Sequence, residues 1–106
     1  MEKEIKPLPE EFKTNGLHYK LLKRINDYAL VIVRGPNGGP ICGYEVHKIR
    51  VMIIPPKWIT GKLIGFTHME KYATNEDFGG YGWSYATLDQ AKKDFPIFKE
   101  VISNDI

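Results

Sequence analysis

Glu76–Phe95 reads EDFGGYGWSYATLDQAKKDF, three glycines and three alternating aromatics that lead through a strand into a helix with a legible start. Thr87 is placed to act as N-cap, its hydroxyl accepting from the Gln90 backbone N–H while the Gln90 side chain reaches back to the Thr87 N–H. Asp89 adds negative charge in the first turn, where the helix dipole favours it. Leu88, Ala91, Phe95, Phe98 and Ile102 then recur at spacings of three and four, which puts them on one stripe and leaves Lys92, Lys93, Asp94 and Lys99 largely outside it. Pro96 lacks an N–H and disfavours helical geometry at Phe95, so a kink or a break into two short helices is expected there.

Working outward, the 106 residues fall within the range of one domain, 1–106, with no low-complexity linker or repeat to divide them. A chain of this length buries roughly 65% of its unfolded surface. The single Cys42 has no partner for an internal disulfide, which suits a reducing, cytoplasmic setting. The start has no charged n-region followed by an apolar run, and no apolar stretch approaches the roughly 20 residues that cross a bilayer, so no membrane association is expected. Fifteen basic against thirteen acidic residues leave a net charge of +2, which implies nucleic-acid binding only if the charges are segregated on one face.

Residues 1–16 are polar and interrupted by Pro7 and Pro9, with Leu8 and Phe12 as the apolar anchors of an extended or partly helical arm. Residues 17–51 read as a three-stranded antiparallel sheet. Leu17, Tyr19, Leu21 and Ile25 alternate with His18, Lys20 and Arg24, Asn26-Asp27 suits a two-residue turn, and Tyr28–Val33 (YALVIV) is an apolar run fit for a central strand. GPNGGP (Gly35–Pro40) is turn chemistry, and Ile41–Val51 forms the third strand.

Counting outward from Asn26-Asp27 pairs Leu22 with Val31 and Lys20 with Val33; setting Val33 opposite Cys42 pairs Val31 with Tyr44 and Ala29 with Val46. One face then carries Tyr19, Leu21, Leu30 and Ile32, bulky enough to receive the helix. The other carries Ala29, Val31, Val33 and Tyr44, rimmed by the basic side chains Lys20, Arg24, Lys48 and Arg50. Residues 52–75 form a long connection in which Pro55-Pro56 ends the third strand, with a short strand at His68–Tyr72; residues 76–106 supply the Gly/aromatic loop, the last strand and the helix. The expected fold class is α+β, an antiparallel sheet of three to five strands with a C-terminal helix packed on one face.

Cys42 and His47 are five apart on one strand, so they leave opposite faces and share no ion; His18 and His68 have no ligand neighbour at metal spacing. No metal and no cofactor is expected. Cys42 reads as a small buried hydrophobe, with no paired base or oxyanion loop beside it. Glu70, Glu76 and Asp77 could form an acid/base pair beside the aromatic loop, but turn chemistry accounts better for Asn75, Glu76 and Asp77. Tyr81, Trp83 and Tyr85 point to one side of the last strand, where they either stack on a ligand ring or close the core. A domain this small needs large side chains over its sheet, which favours the core.

At GYEVHKIR (Gly43–Arg50) and again over Tyr72–Phe95, with its NEDFG and YGW motifs and later AxxxF spacing, the chain resembles small uncharacterised proteins of bacteriophages and integrated mobile elements. The resemblance implies an accessory role and supplies no catalytic residue. A three-stranded sheet followed by a helix also resembles, in architecture alone, the DNA-binding arm domains of integrases. The expected function is thus a non-enzymatic binding module. Its first partner class is nucleic acid, contacted by Lys20, Arg24, Tyr44, Lys48 and Arg50 and by Tyr81 and Trp83. The alternative is a protein partner, a host factor or a second copy in a homodimer, because one helix is too little to cover two apolar sheet faces. A small hydrolase or transferase has the least support.

Overall fold

The computed structural model describes residues 4–102. Their strands are β1 (Ile5–Lys6), β2 (Glu11–Thr14), β3 (Leu17–Ile25), β4 (Tyr28–Arg34), β5 (Ile41–Lys48), β6 (Arg50–Ile53), β7 (His68–Lys71) and β8 (Gly82–Tyr85), followed by the helix α1 (Leu88–Asp94). Five of these strands make an antiparallel sheet in the order β2-β3-β4-β5-β8; the other three make a small sheet, β1-β7-β6, in which β1 runs parallel to β7. The α+β class and the C-terminal helix on one face are as expected. No helix among the described residues is long and apolar enough to cross a membrane.

Local chemistry explains most of the elements. Asn26 adopts φ 54° and closes the β3-β4 hairpin with Ile25 opposite Tyr28, as its turn chemistry predicts. Thr87 and Gln90 make both bonds of the capping box. Helix α1 stops before Pro96, and a 3-10 turn over Pro96–Phe98 replaces it. The tighter pitch of that turn rotates the following residues, so Val101, not the expected Ile102, joins Leu88, Ala91 and Phe98 in the core. The arm of residues 1–16 is more ordered than expected: Asn15-Gly16, both at positive φ, turn β2 back onto β3, and β1 docks on β7.

The register differs from the simple count at two points. In β3 the pairing steps from Leu21 opposite Val31 to Lys23 opposite Leu30, so Leu22 is an extra, bulged residue. Tyr19 and Leu21 therefore turn away from the helix, and Leu22 packs toward it. In β5, Arg34 faces Ile41 and Val33 faces Gly43, which leaves Cys42 as the unpaired residue; it is exposed rather than buried. Every later residue of β5 is thereby displaced by one, since side chains alternate with period two. Tyr44 and Val46 lie with Leu30 and Ile32 beneath α1, while Glu45 and His47 lie on the opposite face with Ala29 and Val31. The expected third strand also divides. Ile49, buried, donates its N–H to the Asp27 carbonyl oxygen, and the chain continues as β6 in the small sheet, in what reads from sequence as connection.

Gly43 explains why the β5 register holds. Its φ is +159°, and a Cβ on it would stand 2.9 Å from the Tyr85 carbonyl oxygen on β8, an approach that only glycine permits. Gly43→Ala is expected to destabilise the fold by about 1–3 kcal/mol, and Thr87→Ala by about 1 kcal/mol through loss of its cap. Urea unfolding measures both; a smaller loss for Gly43→Ala than for Thr87→Ala would mean that β8 moves freely to accommodate a side chain.

Candidate functional site

The displaced register of β5 builds the most organised concave site. Glu45 and His47 are two apart on one strand and so share a face, the face turned away from α1. His47 is 2% exposed. Its Nδ1 accepts the Ala73 backbone N–H at 3.0 Å, which fixes the proton on Nε2; Nε2–H donates to Glu45 Oε1 at 2.8 Å. The imidazole is thus the neutral tautomer, and its contact with Glu45 is a hydrogen bond rather than an ion pair. Both ring nitrogens are engaged, so neither offers a lone pair to a substrate. Glu45 Oε2 has no hydrogen-bond partner among the described residues.

Aromatic rings wall this floor. Phe12 stacks on Tyr19 with ring centres 4.7 Å apart and planes 3° apart, and also meets Tyr72, tilted by 33°, at 4.7 Å. Tyr72 and Phe78 each present their rings nearly perpendicular to the His47 imidazole, at 5.2 and 5.5 Å. The cleft between them has a volume of about 450 Å³ and is completed by Pro9, Thr14 and Thr74. That size lies within the range of small-molecule sites. Among the described residues no lysine or arginine lines it, and Glu45 is its one acidic side chain. Burial pushes the Tyr72 hydroxyl up to about 12, with Arg24 opposing. The Tyr19 hydroxyl is raised by burial first and by Glu45 and Cys42 next.

Each wall is held from outside. The Asn15-Gly16 turn carries Phe12 back over Tyr19. The Tyr72 hydroxyl donates to the Pro9 carbonyl oxygen at 2.7 Å, tying the arm to the segment just after β7. Thr74 and Asp77 form a capping box around the 3-10 turn that precedes Phe78, and Arg50 clamps Asp77. The carboxyl of Asp77 is held below its ordinary value, chiefly by the Thr74 N–H and hydroxyl. Gly82 leaves the space that the Phe78 ring occupies, since a Cβ there would stand 2.7 Å from it.

The basic side chains singled out from the sequence do not gather on one face. Arg24 makes a two-pronged bond to Glu70, 2.6 Å at each nitrogen. Arg50 pairs with Asp77 and lies 4.2 Å over the Tyr81 ring. Lys20 and Lys48 stand opposite Ile32 and Tyr28, on the α1 side of the sheet. Tyr44 is buried beneath α1, and Trp83 and Tyr85 pack with Phe95 against the same core. The expected open face rimmed by four cations is therefore corrected: the two bulges sort those residues to different sides. Glu70 and Asp77, considered as an acid/base pair, are each committed to an arginine. Among the described residues no group of three His, Cys, Asp or Glu side chains is placed to hold a metal ion.

Sequence inspection weighed His47 only against Cys42. The signal for the site was the Glu-x-His alternation on β5, which puts both side chains on one face whatever the register. No protein-family profile, curated protein or solved structure matches the chain.

The Arg24–Glu70 pair has a pH signature. Glu70 is held below its ordinary value of 4.5 chiefly by hydrogen bonding to Arg24, with burial opposing and the Leu8 N–H assisting. A carboxyl depressed in the folded state adds stability above its unfolded value and loses that contribution as pH falls through the folded value. The stability difference between wild type and Glu70→Gln, from urea unfolding, is expected to be constant near neutrality and to shrink below the ordinary value of 4.5. A difference that stays constant through acid pH would show that the pair adds nothing.

Proposed function

We propose that this chain is a non-enzymatic binding module whose recognition surface is the aromatic cleft over Glu45 and His47. The observation that carries the reading is the double engagement of the buried His47: with one nitrogen on Ala73 and the other on Glu45, the imidazole shapes and orients the floor but has no free lone pair for proton transfer. Preformed aromatic walls around a few fixed polar atoms suit a ring or a compact side group. Glu45, His47, Tyr72 and Phe78 all fall within the two segments whose motifs resemble proteins of phages and mobile elements, so an accessory role in such an element goes with this reading. The nucleic-acid version of the module loses the charge segregation that motivated it. Mapping amide shifts on the full chain while ring-bearing fragments are titrated tests the proposal. Shifts concentrated at Tyr19, Glu45, His47 and Ala73, and abolished by Phe78→Ala, are expected; shifts scattered over the surface, or none, would overturn it.

A second reading, association with a protein partner or another copy, has one observation in its favour. Ile5, Val51 and Ile53 fall on one face of the small sheet by register, and Ile53 is 72% exposed. A concentration-dependent mass in light scattering, abolished by Ile53→Lys, supports self-association; an unchanging monomer removes it.

A further inference from the structure

We infer that the cleft takes a small organic cation, an alkylated ammonium head group whose positive charge faces Glu45 and the rings; this rests on the cleft's being the binding surface. Three observations converge. Among the described residues the lining has one carboxylate and no cationic side chain, and the neighbouring imidazole is neutral because its Nδ1 accepts from Ala73. Glu45 uses Oε1 to receive the His47 N–H, which fixes the carboxylate in place and leaves Oε2 to meet the charge of a ligand. The remaining walls are aromatic: the Phe12 ring contacts both Tyr19 and Tyr72, and Phe78 stands nearly perpendicular to the imidazole. Aromatic faces carry negative quadrupole density and attract cations most strongly where water is excluded, and quaternary ammonium groups bind in such surroundings. An anion would meet Glu45 with no compensating donor charge. A neutral ring would fill the same volume but leave Oε2 without a counter-charge.

A small-molecule source is favoured over a basic peptide by the shape of the site. One chain supplies floor and walls around about 450 Å³, within the range that encloses most of a small ligand.

Calorimetric titration of the full chain with choline and with its neutral isostere 3,3-dimethylbutan-1-ol tests the inference. Choline is expected to bind at least roughly tenfold more tightly than the alcohol, the scale of a desolvated cation–π and charge contribution. Glu45→Gln keeps an acceptor for the His47 N–H but removes the charge, and is expected to narrow the gap between choline and the alcohol, leaving only the part due to the rings. Phe12→Leu, on the edge strand β2, keeps apolar contact but removes a π face, and is expected to weaken choline more than the alcohol. Equal binding of the two ligands to the wild type overturns the cation assignment while leaving the cleft as the binding surface. Binding of neither, in a chain whose amides also fail to respond to ring-bearing fragments, overturns both readings. Tighter binding of a short arginine- and lysine-containing peptide than of choline overturns the small-molecule source.

Discussion

The central strand β4 is buried on both faces, from Ala29 to Val33, and everything else in the molecule is arranged to keep it so. A strand with apolar side chains on both sides needs two covers. On one side the cover is α1 and the turn after it, with Phe98 fully buried over Leu30, Ile32, Tyr44 and Val46. On the other side no α-helix lies among the described residues. Leu8, Ile49, Leu21, Tyr19 and Tyr72 close over Ala29 and Val31, drawn from the arm, β3, the sheet junction and the segment just after β7. This second cover is assembled from separate pieces, and where Phe12, Tyr72 and Phe78 lean together without meeting fully, the cleft remains.

Charged side chains serve this second cover as struts. Arg24 on the main sheet holds Glu70 on the small one, and Glu70 also receives the Leu8 N–H, so a single carboxylate joins three parts of the chain. Arg50 does the same for the loop before Phe78 through Asp77, with Tyr81 stacked on its guanidinium. Two of the four cations that read from sequence as ligands for phosphate, Arg24 and Arg50, are thus spent on geometry.

Much of the architecture was legible because it rests on local chemistry. Thr87 and Gln90, Asn26-Asp27, Pro96 and the Tyr28–Val33 run each act within a few residues, and each appears where the sequence places it. What was not legible is register. A bulge at Leu22 and another at Cys42 carry no composition signal, yet each exchanges the two faces of a strand, and between them they move Tyr19, Leu21 and Tyr44 to the sides opposite those expected. The site was half visible. Glu45 and His47 share a face under any register, and Asn15-Gly16 between alternating residues is a hairpin signal that the prolines of the arm obscured. The walls contributed by Tyr72 and Phe78 depend on contacts across the chain, and no periodicity announces them.

The tie between Tyr72 and Pro9 spans 63 residues of chain. The hairpins from β2 to β5 can zip from their own short turns, whereas closing the arm onto β7 requires distant segments to meet, and loop closure of that kind is slow and entropically unrewarded until the contacts are complete. The cleft therefore joins a local hairpin wall, Phe12 on Tyr19, to walls that depend on closing a long loop. An occupant seated against both Phe12 and Tyr72 would fasten the arm to the rest of the chain, so that its binding energy is also closure energy for the N-terminal strands.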